Sequence, residues 1–130
     1  MKAYIGIKYY QDYRNKLIIE EISSVLESKG FETICLARDI DTKDLIISSS
    51  QMLMKLTFEK IEDCDLVVID LSEKGVGLGI EAGYAFAKGI PILTIAKRGS
   101  EISETLEGIS KEIIFYESIG DLENIDFFEV

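Results

Sequence analysis

The fold of this 130-residue chain is decided by residues 65–91, which read DLVVIDLSEKGVGLGIEAGYAFAKGIP. The run from Leu66 to Ile69 is apolar and rich in β-branched residues, which is typical of a central strand in a parallel sheet covered on both faces. Gly75, Gly77 and Gly79 follow it, and glycine permits a sharp turn and a close approach to a ligand. A short helix is predicted at about 79–88. The stretch therefore predicts a buried strand, a glycine-rich turn and a helix.

Glu81 is the chemical centre of this stretch. We expect it in the first turn of the predicted helix, where the partial positive charge of the helix N-terminus favours the ionised carboxylate. One interpretation is a reactive carboxylate beside a ligand. The other is a glutamate that only complements the helix dipole, which is worth at most about 1 kcal/mol. Gly77, Gly79, Gly83 and Tyr84, together with the resemblance described below, favour the first interpretation.

The rest of the chain places strands and helices in alternation around this stretch. Strands are predicted at 3–7, 32–36, 65–71, 91–96 and 111–116, with helices at about 12–29, 50–63, 79–88 and 102–109. Such alternation predicts a parallel sheet with right-handed crossovers. We expect one α/β domain over residues 1–130, a flavodoxin-like or Rossmann-like three-layer sandwich with strand order 2-1-3-4-5. Its crevice would open at the carboxyl ends of the first and third strands, with the loop 37–49 as a candidate lid.

Composition limits the chemistry that is open to the chain. Because the sequence has no histidine, Ser-His-Asp, Cys-His and histidine-ligated zinc sites are excluded, whereas carboxylate chemistry remains. No metal or organic cofactor is implied. Cys35 and Cys64 have no partner histidine, and we expect both to be buried reduced thiols.

Charge and hydropathy limit the partners. A net charge of −10 argues against polymeric nucleic acid, whose binding relies on lysine and arginine. No apolar run reaches the roughly 18 residues of a membrane span. The N-terminus enters a strand directly, with no signal pattern. The composition, 47% hydrophobic and 29% charged residues, is typical of a globular protein. We therefore expect a cytoplasmic protein that has no membrane partner and binds a small molecule.

Two blocks carry a resemblance to a known family. They are residues 76–85, VGLGIEAGYA, and residues 6–16, GIKYYQDYRNK. The first resembles the signature of the nucleoside 2-deoxyribosyltransferase family, which includes the deoxynucleoside 5′-monophosphate N-glycosidases. The second resembles the N-terminal segment of the transferases. With a similar order of strands and helices, the resemblance spans most of the chain.

The resemblance implies a reaction and a set of site residues. The family glutamate that corresponds to Glu81 is the catalytic nucleophile, and Tyr9 and Tyr10 match aromatic residues that line the base pocket. Cleavage of an N-glycosidic bond develops positive charge at the anomeric carbon, which a carboxylate can stabilise or attack. Aromatic rings stack on bases at about 1–3 kcal/mol each, although packing at a strand end is an open alternative for both tyrosines. The expected substrate-binding residues are Gly6, Tyr9, Tyr10, Asp12, Thr57, Gly75, Gly77, Gly79 and Ser103.

Two positions depart from the family pattern. Thr57 stands where the family has an aspartate that works with the glutamate. Gly75 stands where transferases have an aspartate and monophosphate hydrolases a serine. Thr57 shares a predicted helix face with Met54 and Ile61 and should point inward, but it cannot transfer a proton as a carboxylate does. The acid-base role would then fall to another residue, with Asp39, Asp70 and Glu73 as candidates, or the reaction differs.

Two further hints concern charge and assembly. Five cations follow the carboxyl ends of predicted strands and would draw an anionic substrate into the crevice, unless they are scattered solvated charges; they are Lys8, Arg38, Lys74, Lys97 and Arg98. Ser103 resembles the serine that monophosphate hydrolases donate to the substrate of a neighbouring subunit, which implies a homodimer or a higher homo-oligomer.

The residues and the resemblance together predict an enzyme that cleaves or transfers at the N-glycosidic bond of a nucleoside or nucleoside 5′-monophosphate, with Glu81 as nucleophile. The main alternative is a non-catalytic nucleotide-binding module that kept the pocket and lost the acid, which Thr57 and Gly75 favour. A dinucleotide fingerprint is disfavoured because the glycines follow the third strand. A receiver-like domain is disfavoured because Ile7-Lys8-Tyr9 stands where paired acids are expected.

Overall fold

A five-stranded parallel sheet in the order β2-β1-β3-β4-β5 forms the centre of the computed structural model, which describes residues 1–39 and 49–125. Each neighbouring pair of strands runs parallel. The predicted fold class and strand order are confirmed. The strands are β1 (Lys2–Gly6), β2 (Glu32–Ile34), β3 (Leu66–Asp70), β4 (Ile92–Lys97) and β5 (Glu112–Tyr116).

The helices cover both faces of this sheet. They are α1 (Lys16–Ser28), α2 (Leu36–Asp39), α3 (Ser50–Glu62), α4 (Val76–Ala87) and α5 (Glu104–Ile109), with a 3₁₀ helix at Ile119–Asn124. The sequence did not indicate α2 or the 3₁₀ helix. The predicted lid, 37–49, falls mostly on residues 40–48, which lie outside the described residues.

The core forms two layers because β3 is buried along its whole length. Leu66 and Val68 pack with the apolar side chains of α1 and the 3₁₀ helix. Val67 and Ile69 face the opposite way and pack with α3, α4 and α5. This alternation is the reason that the strand reads as a continuous apolar run, since side chains of successive residues enter different layers.

Helix α4 begins earlier than the sequence predicts. Gly75 is its N-cap residue and Val76 its first residue, so Glu81 lies in the second turn instead of the first. The extended backbone of Gly75, with φ −159°, is open to any residue. Positive φ angles occur instead at Gly30, Gly89 and Gly99, among the described glycines; Gly30 and Gly89 end α1 and α4.

Other sequence predictions concern the thiols and the membrane. Cys35 and Cys64 are free and buried, as predicted. Within residues 1–39 and 49–125, every helix is too short or too polar to cross a bilayer.

Candidate active site

A cavity of about 520 Å³ opens at the carboxyl end of β1 and is bounded by α2, α3 and α4. Its wall is mainly apolar, from side chains such as Leu53, Met54 and Leu78. Glu81 supplies its carboxylate, and among the described residues that line the cavity no other acid is present. Six of the predicted site residues line it: Gly6, Tyr9, Thr57, Gly75, Gly77 and Glu81. We call this the Glu81 cavity.

Glu81 is held by a buried tyrosine on β1. The hydroxyl of Tyr4 donates a hydrogen bond to Oε1 of Glu81 over 2.7 Å. Burial and the nearby Glu81 carboxylate raise the pKa of Tyr4 far above its usual range, so this hydroxyl stays a donor. Tyr4 was not among the predicted site residues. A tyrosine in an otherwise apolar buried strand was the available signal, because a buried phenol needs a hydrogen-bond partner.

The environment of Glu81 differs from the one expected at a helix terminus. Burial raises the pKa of Glu81 to about 7, and the hydrogen bond from Tyr4 opposes this shift. The expectation of a carboxylate stabilised by the helix dipole is wrong, because Glu81 lies in the second turn, half-buried in an apolar cavity. The dipole effect falls off within the first turn. At neutral pH the carboxyl group is therefore poised between its two protonation states.

Gly6 gives the carboxylate its space. A Cβ atom at this position would lie 2.9 Å from Oε2 of Glu81 and 2.7 Å from Cδ1 of Ile69. Both distances are shorter than the van der Waals contact of a Cβ atom with oxygen or carbon. The absence of a side chain at the end of β1 therefore lets α4 bring Glu81 against the sheet.

Thr57 lies on the opposite wall. It is 3% exposed, and its hydroxyl donates to the carbonyl oxygen of Leu53 over 2.8 Å. The proton of this hydroxyl is therefore used within α3. Thr57 presents a hydrogen-bond acceptor and a methyl group to the cavity, and it supplies no acid.

The three candidate replacement acids lie outside the Glu81 cavity. Asp39 accepts from the backbone N–H of Cys35 and pairs with Arg38. Glu73 and Asp70 line a different cavity of about 330 Å³. Since side chains alternate along β3, Asp70 points to the same layer as Val68, away from Glu81. None of the three is placed to protonate a group bound at Glu81.

A side-chain network surrounds Asp70. The carboxylate of Asp70 accepts hydrogen bonds from the Tyr116 hydroxyl at 2.6 Å and from the Ser72 backbone N–H at 2.8 Å. The Ser72 hydroxyl lies 3.1 Å from that of Tyr116 and accepts from the backbone N–H of Lys97 at 2.8 Å. This network links the last residues of β3, β4 and β5.

Tyr10 lines a chamber next to the Glu81 cavity. This second chamber measures about 440 Å³, and we call it the tyrosine chamber because Tyr9, Tyr10 and Tyr13 line it. The guanidinium of Arg14 lies 4.3 Å from the ring centroid of Tyr10 and is paired with Asp12. Three of the predicted site residues line neither chamber: Asp12, Gly79 and Ser103.

The predicted cationic rim is largely neutralised. Lys74 lies 4.0 Å from Glu101, Arg98 lies 3.2 Å from Glu117, and Arg38 is paired with Asp39. Lys8 and Lys97 have no ion pair within the described ranges. Of the five cations, Lys8 alone lines the Glu81 cavity in the described part of the chain.

Helices α3 and α4, which carry Thr57 and Glu81, contact each other through side chains. The rings of Phe58 on α3 and Tyr84 on α4 stack with centroids 4.1 Å apart. At the edge of this contact Glu62 accepts a hydrogen bond from Tyr84 and pairs with Lys88. These contacts hold α3 and α4, two walls of the Glu81 cavity, against each other.

The sequence and the fold resemble those of known proteins. No protein-family model matches the sequence. A curated relative from Thermofilum pendens named "Putative 2'-deoxynucleoside 5'-phosphate N-hydrolase 1" is 23% identical over 136 residues, which cover 97% of this chain and 93% of that protein. The 2-deoxyribosyltransferase of Bacillus psychrosaccharolyticus has the same fold, with a TM-score of 0.77 and 19% identity over 98% of this chain and 93% of its own. The CMP N-glycosidase of Clostridium botulinum has a TM-score of 0.67 and 23% identity over 95% of this chain and 94% of its own.

The resemblance to the nucleoside 2-deoxyribosyltransferase family is confirmed. Both departures from the family pattern, Thr57 and Gly75, line the Glu81 cavity. Glu81 and the two positions that depart from the family pattern therefore lie around one cavity.

Proposed function

We propose that the protein is an enzyme that cleaves or transfers at the N-glycosidic bond of a nucleoside or a nucleoside 5′-monophosphate, with Glu81 as the nucleophile. The observation that carries this proposal is a carboxylate hydrogen-bonded by Tyr4 in a mainly apolar cavity at the carboxyl end of β1. The names of the relatives support this class of reaction, because they include an N-hydrolase, a deoxyribosyltransferase and an N-glycosidase.

The proposed reaction has two steps. The ionised carboxylate of Glu81 attacks the anomeric carbon, a C–O bond forms, and the C–N bond breaks with its electron pair leaving on the base. Water or a second base then attacks the same carbon and regenerates the carboxylate. Because an apolar cavity strengthens electrostatic interactions, Glu81 stabilises the positive charge on the sugar more strongly there than it would in water.

The substrate is proposed to lie between the walls of the cavity. Tyr9 offers an aromatic face to the base, and Lys8 offers a cation to a 5′-phosphate. Gly75 and Gly77 leave the start of α4 open on the cavity side. A homodimer or a higher homo-oligomer, with Ser103 reaching a neighbouring subunit, is part of this proposal.

The test is base release by Glu81→Gln. The amide is nearly isosteric, so the variant should keep its fold and its ligand while base release falls by about 10³-fold or more, since no carboxylate stabilises the sugar cation. The assay incubates the protein with the common nucleosides and monophosphates and measures the free base by chromatography. Glu59→Gln, an exposed change of the same kind on α3, is the matched control and should keep full activity.

Two results would contradict the proposal. Turnover that is unchanged in Glu81→Gln would remove Glu81 from the reaction. Binding of nucleotides by the unmodified protein without any release of base would favour the non-catalytic binding module instead.

A further inference from the structure

The tyrosine chamber adjoins the Glu81 cavity and has no part in the proposed reaction. The two spaces share Lys8, Tyr9 and Ala37 as lining residues. At about 440 Å³ and 520 Å³, each falls in the range of about 300–1,000 Å³ that small-molecule sites occupy. A ligand held at Glu81 could therefore extend past Tyr9 into the second space.

The tyrosine chamber is positive although the chain has a net charge of −10. Lys8, Lys16 and Arg38 line it, and none of its described lining residues is an aspartate or a glutamate. Arg38 is paired with Asp39, whereas Lys8 and Lys16 have no ion pair within residues 1–39 and 49–125. Lys8 and Lys16 would therefore attract an anionic group to the chamber.

The rings of the chamber are presented by a strained turn. Tyr13 has a φ of +57°, which is uncommon for a bulky residue and is found mostly at functional sites. The turn is held by hydrogen bonds from Tyr13 N to Tyr10 O at 3.2 Å and from Lys16 N to Tyr13 O at 3.0 Å. The Tyr13 side chain is 51% exposed, so a planar group in the chamber can contact its ring.

Lys8 lies between the two spaces. It is the one cation that lines both of them in the described part of the chain. Glu81 lines only the first space, Tyr10 and Tyr13 line only the second, and Lys8 lines both. This distribution suits a ligand with a glycosidic bond at one end, phosphate in the middle and a second base at the other end.

We propose that the two spaces together bind a dinucleotide whose nucleosides are joined through their 5′-phosphates. One nucleoside presents its N-glycosidic bond to Glu81, the linking phosphates lie at Lys8, and the second base stacks in the tyrosine chamber. This proposal rests on the proposed function for the chemistry at Glu81. In the hydrolysis the C–N bond breaks, and water supplies a hydroxyl group to the anomeric carbon and a proton to the base.

The test compares matched substrates. For each of the four bases, a 2′-deoxynucleoside 5′-monophosphate is assayed beside the symmetric dimer in which two such units are joined by a 5′,5′-diphosphate. The dimer should show a KM about tenfold lower at a similar kcat, since stacking of the second base adds binding energy. Tyr13→Ala and Lys16→Gln should each reduce this preference, and their combination should abolish it.

Control variants separate the subsite from general effects. Tyr13→Phe keeps the ring and should keep the preference, as should Lys111→Gln, which removes a lysine that lines neither chamber. Equal KM values for dimer and monophosphate, or a preference that survives the combined variant, would overturn the proposal. If no substrate releases base, the proposed function fails. Calorimetric titration with the same two ligands then decides the subsite, and equal affinities would overturn it.

Discussion

Glu81 combines two demands that oppose each other. A nucleophile must be ionised to attack, but the apolar cavity that strengthens its action also favours the protonated form. The Tyr4 hydroxyl compensates in part, because its hydrogen bond stabilises the ionised carboxylate. The result is a pKa of about 7, near the pH at which a protein in neutral solution works.

The protonation of Glu81 predicts how kcat/KM depends on pH. Because the reaction needs the ionised form of Glu81, kcat/KM should rise with pH through about 7 in the free protein. Tyr4→Phe removes the hydrogen bond that lowers the pKa of Glu81, so the profile should move about one unit to higher pH. A pH series of base-release rates measures both. Tyr116→Phe, which removes a buried hydroxyl on the other face of the sheet, is the control and should leave the midpoint of the pH profile unchanged. An unchanged midpoint in Tyr4→Phe would contradict the role given to Tyr4.

Gly6 allows a second prediction. In Gly6→Ala the new methyl group would lie within 3 Å of both Glu81 and Ile69, so these two side chains must move from their present positions. The free energy of unfolding should fall by about 1–3 kcal/mol, and base release should fall with it. Gly83→Ala on α4 meets open space and should stabilise the protein by up to about 1 kcal/mol. Urea denaturation of the two variants measures the contrast, and equal effects would mean that the cavity accommodates the methyl group.

Among the secondary-structure elements, the long apolar patterns were predictable and the short polar ones were not. The apolar residues of β3 and of one face of α1 are numerous enough to show which elements are buried. The alternation of strands and helices predicted the parallel sheet, and the apolar run of β3 placed that strand at its centre. Helix α4 was predicted to begin three residues late, because glycines at 77 and 79 resemble a turn. Packing of Leu78 and Ala82 in the core outweighs the low helix propensity of Gly77 and Gly79.

The short 3₁₀ helix had a signal that went unused. Ser118 and Asp121 form a capping box around its first turn, and serine followed three residues later by an acid is a recognised helix start. Tyr4 was missed for another reason. Its partner, Glu81, is 77 positions away, and a contact of that span depends on how α4 packs against β1, which a local pattern does not contain.

Helix α3 carries the third prediction. Thr57→Asp places a carboxyl group in an apolar wall, where burial raises the pKa of an acid and favours the proton-donating form. Base release from a deoxynucleoside or its monophosphate should rise by about 10²-fold. Thr57→Asn has the same size without a transferable proton and should show no gain. A loss of activity in Thr57→Asp alone would mean that another acid already serves the leaving base, with the added charge weakening Glu81.

The buried carboxyl group of Glu81 lowers the free energy of unfolding of the whole protein as pH rises. The pKa of Glu81 is about 7 in the folded state and near 4.3 in an unfolded chain, so the contribution of this group is fully present below pH 4 and is lost as pH rises through 7. Glu81→Gln should therefore stabilise the protein at pH 8.5 by about 1–3 kcal/mol and change little at pH 4. Thermal or urea unfolding at both pH values measures this.

The control for that prediction addresses net charge. Removing any carboxylate from a chain of charge −10 reduces self-repulsion, and Glu59→Gln isolates this effect because Glu59 is exposed on α3. A gain at pH 8.5 that is the same in both variants would show that the burial of Glu81 has no energetic cost.

The hydrogen bonds around Asp70 have a consequence for local opening of the sheet. They join the last residues of β3, β4 and β5, so these three ends cannot fray independently and their amide hydrogens should exchange with solvent as one cooperative unit. The end of β1 lies outside this network and is joined to the start of α1 through the Asn15 side chain and the Lys8 carbonyl oxygen. We therefore expect slow amide exchange at the carboxyl ends of β3, β4 and β5 and faster exchange at the carboxyl end of β1, beside which both chambers open.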